Sequence, residues 1–455
     1  MPSTLLDSDY YRDQYSAGAM RAVFSDTARY RSWLDVEVAL ARAQADLGLI
    51  PQEAAQAIAA AAKVENLDIV AMKIEFDRAG FAIMPLVRQL GKAAGPDAAR
   101  FVHWGSTTQD ILDTGLVLQM RAGLDLIAAE LDAVCIALAA LARTHRNSVM
   151  AGRTFMQQAA PITFGYKAAI WLDEMLRHRE RLPQIRARLE VVQCGGAVGT
   201  LATIGEKALA MRKRQAEILG LGDPAISWHN ARDGFTETVF WLGLVTASLG
   251  KFATEIATLM RTEVGEVREP YETGRGASST MPQKRNPIAC PQVIAIAALL
   301  REKTASQMTA MIQEHERAVA GMPIEWMVIP EAFLLASGAF KHMRPVLEGL
   351  EVDTARMRAN LEGDGGLIMA ESVMMGLAPH IGRNAAHELV FGAAQTAIAQ
   401  NTTLRAQLET LDELKEYLAA GQLDSLLDPA NYTGAAPQMV DTVLNRAQEQ
   451  GLSAS

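Results

Sequence analysis

The chain has 455 residues, a formal net charge of −9 and a pI near 5.5, which argue against a surface for the phosphate backbone of nucleic acid. Hydrophobic residues make up 49% of it, enough for a large core, and its many Ala, Leu and Met residues favour helices. Three scattered cysteines, polar first residues and the lack of an uncharged run of about eighteen residues predict a cytoplasmic protein without a disulfide framework, a zinc site or a membrane span.

The first part of the chain predicts a small helical domain over residues 1–109. Apolar residues interspersed with Arg and Glu predict an amphipathic helix over 27–49, which ends before Pro51. A second helix is expected over about 51–64. Glycines then divide the pattern into shorter helices as far as Arg100.

The middle of the chain, residues 110–350, predicts a second domain built from much longer helices. Its apolar stretches run for about thirty residues, and several begin at Asp or Pro and end near Gly, as helix punctuation requires. A helix of that size is about 45 Å long, more than a compact monomer can bury, so the pattern predicts a long bundle that assembles with other chains. Small breaks would instead divide each stretch into ordinary helices. The stretches are 110–145, 161–194, 233–267, 287–320 and 323–349.

A third domain is predicted over residues 351–455, where the helices shorten again and the last one begins near Ala435. The glycine-rich tract 195–200 follows a predicted helix and not a strand, so it is interpreted as a helix terminus. Strand alternation and a phosphate-binding loop after a strand are both lacking. The predicted fold class is therefore all-α, a long central helical bundle flanked by two smaller helical domains.

The segment 274–287, GRGASSTMPQKRNP, is the strongest indication of chemistry in the chain. Two glycines let its backbone bend, and two prolines then restrict it. In such a loop Ser278 could remove a proton while the Lys284 ammonium neutralises a carboxylate whose charge grows in the transition state. A serine-rich surface turn is the alternative for the serines alone.

Two further polar segments precede long helices. Thr107 and Thr108 lie at a predicted helix start, where hydroxyls and free N–H groups either cap the helix or bind a carboxylate. His103, just before them, is ionisable near neutral pH or else structural. The second segment, residues 151–161, offers Arg153 and nearby polar side chains to carboxylate oxygens, or is a polar helix start.

A last charged segment, QEHER over 313–317, ends in Arg317. Glu314 and Glu316 are interpreted as a solvated helix face.

In chain order the segments read HxGxTTxD, GRTxxQ, SSTMPxKRNP and HER, and this order resembles the fumarase/aspartase superfamily. The resemblance implies an all-helical homotetramer whose active sites combine loops of three subunits. It also implies a shared chemistry, in which a base removes a proton next to a carboxylate, an aci-carboxylate forms and a β-substituent leaves, or the reverse. Neither a metal nor an organic cofactor is implied, and the expected partner is a small polycarboxylate.

The resemblance also implies roles for particular residues. Ser278 would be the catalytic serine, Lys284 would contact the growing carboxylate, and His103 lies where related lyases carry a catalytic histidine. The side chains that would hold the substrate are Thr107, Thr108, Arg153, Thr154, Gln157, Ser279, Met281, Asn286 and Arg317.

Within the superfamily the chain is most similar to the bacterial 3-carboxy-cis,cis-muconate cycloisomerases. Phe155 stands where the lyases usually have histidine and the cycloisomerases have tryptophan, and Met322 and Trp326 argue against a nucleotide substrate. A cycloisomerase acting on a carboxymuconate-like polycarboxylate is therefore expected. The alternatives are a C–N lyase that releases fumarate from an N-substituted aspartate, and an inactive structural member of the fold.

Overall fold

The computed structural model of the protein describes residues 4–270, 281, 284–419 and 421–452. The predicted site residues Ser278 and Ser279 lie outside the described residues. The chain divides into two compact units, each assembled from separate stretches. Unit 1 comprises residues 1–130, 178–247 and 295–341, and unit 2 comprises 131–177, 248–294 and 342–455. The three-domain division of the sequence stays a prediction.

The described residues are mostly α-helical, so the predicted all-α fold class is confirmed. The helices are α1 (Arg12–Tyr15), α2 (Gly18–Val23), α3 (Asp26–Asp46), α4 (Gln52–Ala61), α5 (Ile69–Ala79), α6 (Ile83–Ala94), α7 (Pro96–Ala99), α8 (Thr108–Thr144), α9 (Phe164–Leu189), α10 (Ala208–Leu219), α11 (Asp233–Leu259), α12 (Ala289–Ala310), α13 (Gly321–Glu348), α14 (Thr354–Glu362), α15 (Ala370–Ile381), α16 (Arg383–Gln400), α17 (Leu404–Leu408), α18 (Asp412–Tyr417), α19 (Gln422–Leu427) and α20 (Ala436–Glu449). Four 3₁₀ turns lie between them, at Val64–Asn66, Gly205–Lys207, Leu367–Met369 and Pro429–Asn431.

The five predicted long helices are present as α8, α9, α11, α12 and α13, and the longest, α8, has 37 residues. The clearest error is α12, which ends at Ala310 and not near residue 320. The Gln313 amide donates to the Ala310 carbonyl at 2.7 Å and so caps the helix end. His315 then adopts a φ of 52°. The segment with Glu314 and Glu316 is therefore a loop and not a helix face.

Unit 1 is built around α3, which packs against α4 and α10. Its core contains Trp33, Leu34 and Val36 from α3, together with Ile111 and Leu112 from α8. Gly115 permits close packing of α8 on α3, because a Cβ there would lie 2.7 Å from Cδ1 of the Trp33 indole. The start of α8 is thereby held against the α3 helix.

Unit 2 contains the strands that the sequence analysis did not predict. Strands β1 (Val149–Thr154) and β2 (Gln157–Thr163) form an antiparallel hairpin, with a bulge next to Gly152. The helix start considered for residues 151–161 is therefore wrong. Two further strands, β3 (Val267–Arg268) and β4 (Glu351–Val352), pair antiparallel. Helix α14 packs on β1, and α15 packs on α16.

Helix α11 has the length and apolar composition of a membrane span, but about two thirds of its most apolar stretch is buried within the protein. Among the described residues no other helix meets those criteria. Burial accounts for the apolar side chains of α11, as in the core helix of a globular fold.

Candidate active site

The carboxylate of Asp110 organises the part of unit 1 that contains the predicted site residues. It is 1% exposed and lies in the first turn of α8. Its Oδ2 accepts from the Thr107 N–H at 3.0 Å, from the Ser106 hydroxyl at 3.2 Å and from the Gly196 N–H at 2.9 Å. Its Oδ1 accepts from the Gly195 N–H at 2.9 Å. The glycine-rich tract interpreted as a helix terminus is therefore a loop tied to the start of α8.

His229 completes the environment of Asp110. Its Nε2 lies 2.7 Å from Asp110 Oδ1, and both side chains are buried. Because the carboxylate accepts this bond, Nε2 carries a proton. Asp110 thus joins three segments of unit 1 that are far apart in sequence, namely the start of α8, the loop after α9 and the loop before α11.

His103 forms a second carboxylate–imidazole pair in unit 1, and this pair is partly buried. Its Nδ1 lies 2.6 Å from Oε1 of Glu37, a side chain of α3 that is 1% exposed. Burial lowers the pKa of His103, but the charge and hydrogen bond of Glu37, with a contribution from Asp110, outweigh it and raise the pKa above its usual value. The imidazole therefore stays protonated to a higher pH than a free histidine.

Arg232 lies at the centre of a buried charge cluster in unit 1. Its guanidinium donates two hydrogen bonds to Asp113, at 2.6 and 2.9 Å, and further bonds to Glu325 at 2.5 and 3.0 Å. All three side chains are at most 3% exposed. Burial raises the pKa of Glu325 against the opposing effect of the guanidinium. The cluster ties α8, the start of α11 and α13 together.

Gln109 connects this cluster to Arg317. Its amide nitrogen donates to Asp113 at 3.0 Å and to the His229 carbonyl at 2.8 Å. Its amide oxygen accepts from Arg317 Nε at 2.8 Å. A second nitrogen of Arg317, Nη2, is buried and has no hydrogen-bond partner among the described residues. Arg317 therefore places a positive charge at the start of α8, with an Nη2 group that is free of hydrogen bonds to the described residues.

In unit 2 the predicted substrate ligand Arg153 is engaged within the protein. It donates to both oxygens of the buried Glu266, at 2.9 and 2.6 Å. Asn360 also donates to Glu266, at 2.7 Å. These bonds hold the end of β1 beside β3 and α14. The arrangement gives Arg153 a structural role in the described residues, and its role in substrate binding stays a prediction.

Two other predicted ligands, Thr154 and Gln157, face each other across the turn of the hairpin. The two residues between them, Phe155 and Met156, have φ angles of 48° and 66° and are 99% and 75% exposed. Two successive positive φ angles are the pattern of a type I′ turn, which asparagine and glycine normally occupy.

The end of the signature loop leads into α12. Lys284 is exposed, and its N–H donates to the Met281 carbonyl at 3.0 Å. Glu269 accepts from the N–H groups of the first residues of α12, including Cys290 at 2.9 Å, and so caps that helix. Arg285 binds Glu351 through two bonds of 2.8 Å. The neighbouring groups Lys284 and Asn286 are thus placed on a segment anchored to a helix start.

Comparisons with known proteins identify the family to which the chain belongs. A family model described as lyase matches residues 12–300, and one described as adenylosuccinate lyase C-terminus matches residues 366–443. The chain is 45% identical to 3-carboxy-cis,cis-muconate cycloisomerase of Pseudomonas aeruginosa over 433 residues, which are 94% of each chain. It is 39% identical to N-acetyl-S-(2-succino)cysteine lyase of Dickeya dadantii over 454 residues, with 100% of each covered.

A solved structure also matches nearly the whole chain. The 3-carboxy-cis,cis-muconate lactonizing enzyme from Pseudomonas putida has a TM-score of 0.93 and 43% sequence identity, and the match covers 97% of this chain and 99% of that one. The chain belongs to the fumarase/aspartase superfamily. It is therefore an enzyme of a superfamily whose named members include cycloisomerases and lyases.

Membership in the superfamily leaves the individual residue assignments as predictions. His103, Thr107, Thr108 and Arg317 lie in unit 1, whereas Arg153, Thr154, Gln157, Met281, Lys284 and Asn286 lie in unit 2. Sequence reasoning missed Glu37, Asp110, His229 and Arg232. The segment WHNARD over 228–233 held a signal, because two ionisable side chains and a tryptophan precede a helix start.

We expect the buried charge cluster to be essential for the stability of unit 1. Arg232→Gln removes the guanidinium between Asp113 and Glu325 and leaves two uncompensated buried carboxylates, so it should cost about 3–5 kcal/mol of unfolding free energy. Urea unfolding followed by circular dichroism measures the loss.

The matched control for that prediction is Arg214→Gln, which removes an exposed pair with Asp46 and should change the unfolding free energy little. Equal effects of the two substitutions would contradict the proposed importance of the cluster.

Proposed function

We propose that the protein is a cycloisomerase that acts on 3-carboxy-cis,cis-muconate or a similar polycarboxylate. The observation that carries the proposal is the partly buried His103–Glu37 pair, whose histidine lies a few residues before the N-terminus of α8. A histidine held protonated can deliver a proton, and a helix N-terminus favours a carboxylate. The likeness to carboxymuconate cycloisomerases over nearly the whole chain supports the choice of substrate.

The reaction has a balanced course without an oxidant or reductant. A carboxylate oxygen of the substrate adds to one carbon of a conjugated double bond, and a C–O bond forms. The electron pair of that double bond moves to the neighbouring carbon and into its attached carboxylate, which becomes an aci-carboxylate. A proton then adds to that carbon, and a lactone results.

In the proposed reaction two groups handle the proton and the charge. His103 donates the proton, or Ser278 does so in the direction opposite to its role as a base. The Lys284 ammonium stabilises the aci-carboxylate, because a positioned positive charge attracts the carboxylate oxygens more strongly once they gain electron density.

The first test is an ultraviolet assay with 3-carboxy-cis,cis-muconate, in which loss of the conjugated diene reports cyclisation. The wild-type protein should consume the diene, and Ser278→Ala should slow the reaction by about a hundredfold or more, since a positioned acid–base group contributes that much. Ser306→Ala, on the exposed surface of α12, is the control and should react like the wild type.

Absence of diene loss in the wild type would overturn the carboxymuconate assignment. Reaction at the full rate in Ser278→Ala would overturn the role of the serine. Circular dichroism of each variant establishes that it is folded.

A second candidate function is release of fumarate from a substituted succinate, and one cavity of unit 1 favours it. The cavity has a volume of about 250 Å³, and an apolar cavity of about 150 Å³ accommodates benzene. It is lined by Arg29, Trp33, Phe76, Ala82, Leu112, Asp113, Leu116, Gln119, Glu325, Trp326 and Pro330.

The charged and amide side chains around this cavity already have partners, and one of them, Arg29, binds Asp26 at 2.6 Å. Asp113 and Glu325 both bind Arg232, and Gln119 donates to the Val23 carbonyl at 2.8 Å. These charged and amide side chains need no hydrogen bond from an occupant, so the cavity suits an apolar group of about the size of a phenyl ring.

The cavity is also next to the predicted carboxylate site. Leu112 and Leu116 lie four and eight residues after Thr108 on α8, and residues at this spacing share one face of a helix. A substrate with its carboxylates at the start of α8 could place an apolar amine or thiol arm in the cavity. This supports a lyase with an apolar arm on its substrate, and it differs in this from the N-acetyl-S-(2-succino)cysteine lyases, whose named substrate has a polar thiol arm.

The size of the substrate's arm provides the test of this second function. The wild type should release fumarate from N-benzylaspartate more efficiently than from N-methylaspartate. Ala82→Leu, which adds volume to the cavity wall, should lower kcat/KM for the benzyl substrate by about tenfold or more and leave that of the methyl substrate nearly unchanged.

Ala60→Leu, at an exposed position of α4, is the matched control and should change neither value. No fumarate from either substrate would exclude the lyase, whereas equal effects of Ala82→Leu on both substrates would exclude the cavity as the site of the arm.

A further inference from the structure

We propose that Glu37 is the positioning residue that orients His103 and keeps it charged for proton transfer. The inference deepens the proposed function and rests on the part of it in which His103 donates a proton. Glu37 lies on α3, 66 residues before His103, and its Oε1 is 2.6 Å from Nδ1. At this distance Nδ1 carries a proton, because the buried carboxylate can only accept.

The hydrogen bond to Glu37 fixes which nitrogen remains for chemistry. No described residue forms a hydrogen bond with Nε2 of His103. A histidine whose Nδ1 is held by a carboxylate presents Nε2 as its reacting atom, and the carboxylate stabilises the positive charge of the doubly protonated ring. His103 is thus oriented as a proton donor.

A second contact from α3 holds the same loop. Gln44 donates from its amide nitrogen to the Trp104 carbonyl at 2.6 Å. Glu37 and Gln44 are seven residues apart, so they lie on one face of the helix two turns from each other. The backbone of His103 has a φ of 60°, a conformation that costs energy for a non-glycine residue and persists only when its surroundings enforce it.

The charges near His103 in unit 1 distinguish the role of Glu37 from that of Asp110. Both carboxylates raise the pKa of the imidazole, while burial lowers it. Asp110, however, already accepts from four groups besides His229. Glu37 is the carboxylate that contacts the His103 ring directly, and its loss would leave burial as the main influence.

This balance has a defined pH dependence. Since the pKa of His103 is raised in the folded protein, the pair contributes stability that is fully present below the pKa of an unfolded histidine. That contribution is lost as the pH rises through the pKa of the folded state. A proton donated by His103 becomes unavailable over the same range.

The experiment compares the wild type with Glu37→Gln, which keeps the shape and an acceptor oxygen but removes the charge. Two readouts are used, the NMR titration of the His103 ring carbon and the pH profile of kcat/KM with 3-carboxy-cis,cis-muconate. The imidazole of Glu37→Gln should titrate at lower pH than that of the wild type. The variant should also lose about tenfold more kcat/KM at about pH 8 than at about pH 6, through kcat and not KM.

The conservative variant Glu37→Asp retains the charge and should restore most of the activity at the higher pH. His103→Gln identifies the NMR signal and should abolish the difference between the two pH values. If Glu37→Gln does not fold, the wild-type titration decides with Glu37→Asp, and a wild-type imidazole that titrates at or below the pKa of a free histidine overturns the proposal.

An unchanged titration and an unchanged pH profile in Glu37→Gln would also overturn it. The NMR readout needs no substrate. A wild type that leaves carboxymuconate unreacted would thus refute the proposed function, while the titration still decides whether Glu37 holds the charge of His103.

Discussion

The arrangement of the candidate site in unit 1 depends on one buried carboxylate, that of Asp110. A carboxylate that is 1% exposed would be strongly destabilised without partners. Here it accepts from two glycine N–H groups, a threonine N–H, a serine hydroxyl and a histidine. The donors come from the start of α8 and from two loops that are distant in sequence, so the charge acts as a common anchor for all three segments.

The same charge limits what the start of α8 can do for a ligand. The Thr107 N–H is bound to Asp110 and is therefore not available to an external carboxylate. The capping interpretation and the binding interpretation of this segment thus apply to different groups. Asp110 caps the helix from within, while the hydroxyls of Thr107 and Thr108 retain their predicted contact with substrate.

Two pairs of carboxylate and imidazole lie in the described part of unit 1, one buried and one partly exposed, and this difference supports different roles. His229 is paired with a carboxylate that has four other donors, and its free Nδ1 is buried without a partner among the described residues. His103 is 12% exposed, and among the described residues its ring is the group that is hydrogen-bonded to the Glu37 carboxylate. The first pair is buried and its carboxylate already has its donors, which suits a structural role. The imidazole of the second pair is accessible from solvent, which suits it to proton transfer.

The long helices can be predicted from the sequence, because apolar runs and the Asp, Pro and Gly residues at their ends are local properties. It was misleading at residues 311–320, where a side-chain cap from Gln313 ends α12 although charged residues continue. It also gave no hairpin signal at Phe155 and Met156, since this turn lacks the usual asparagine and glycine. The pairing of Asp110 with His229 joins residues 119 apart, and no local pattern encodes it.

The residues at the hairpin tip depart most clearly from the residue types that their backbone conformation favours. This departure bears on assembly. Two bulky side chains in left-handed conformations cost free energy, and their exposure adds the cost of apolar surface in water. Within unit 2 the paired strands supply hydrogen bonds but leave both side chains uncovered. A surface contributed by another copy of the chain would cover them and offset the strain. The homotetramer that the resemblance implies, with sites shared between subunits, would provide such a surface, and in it Phe155 would stand where the resemblance places a histidine in related lyases. Because phenylalanine cannot carry a proton, the proposed mechanism assigns proton transfer to His103 or Ser278, and under that proposal the charge state of His103 is a property on which the reaction depends.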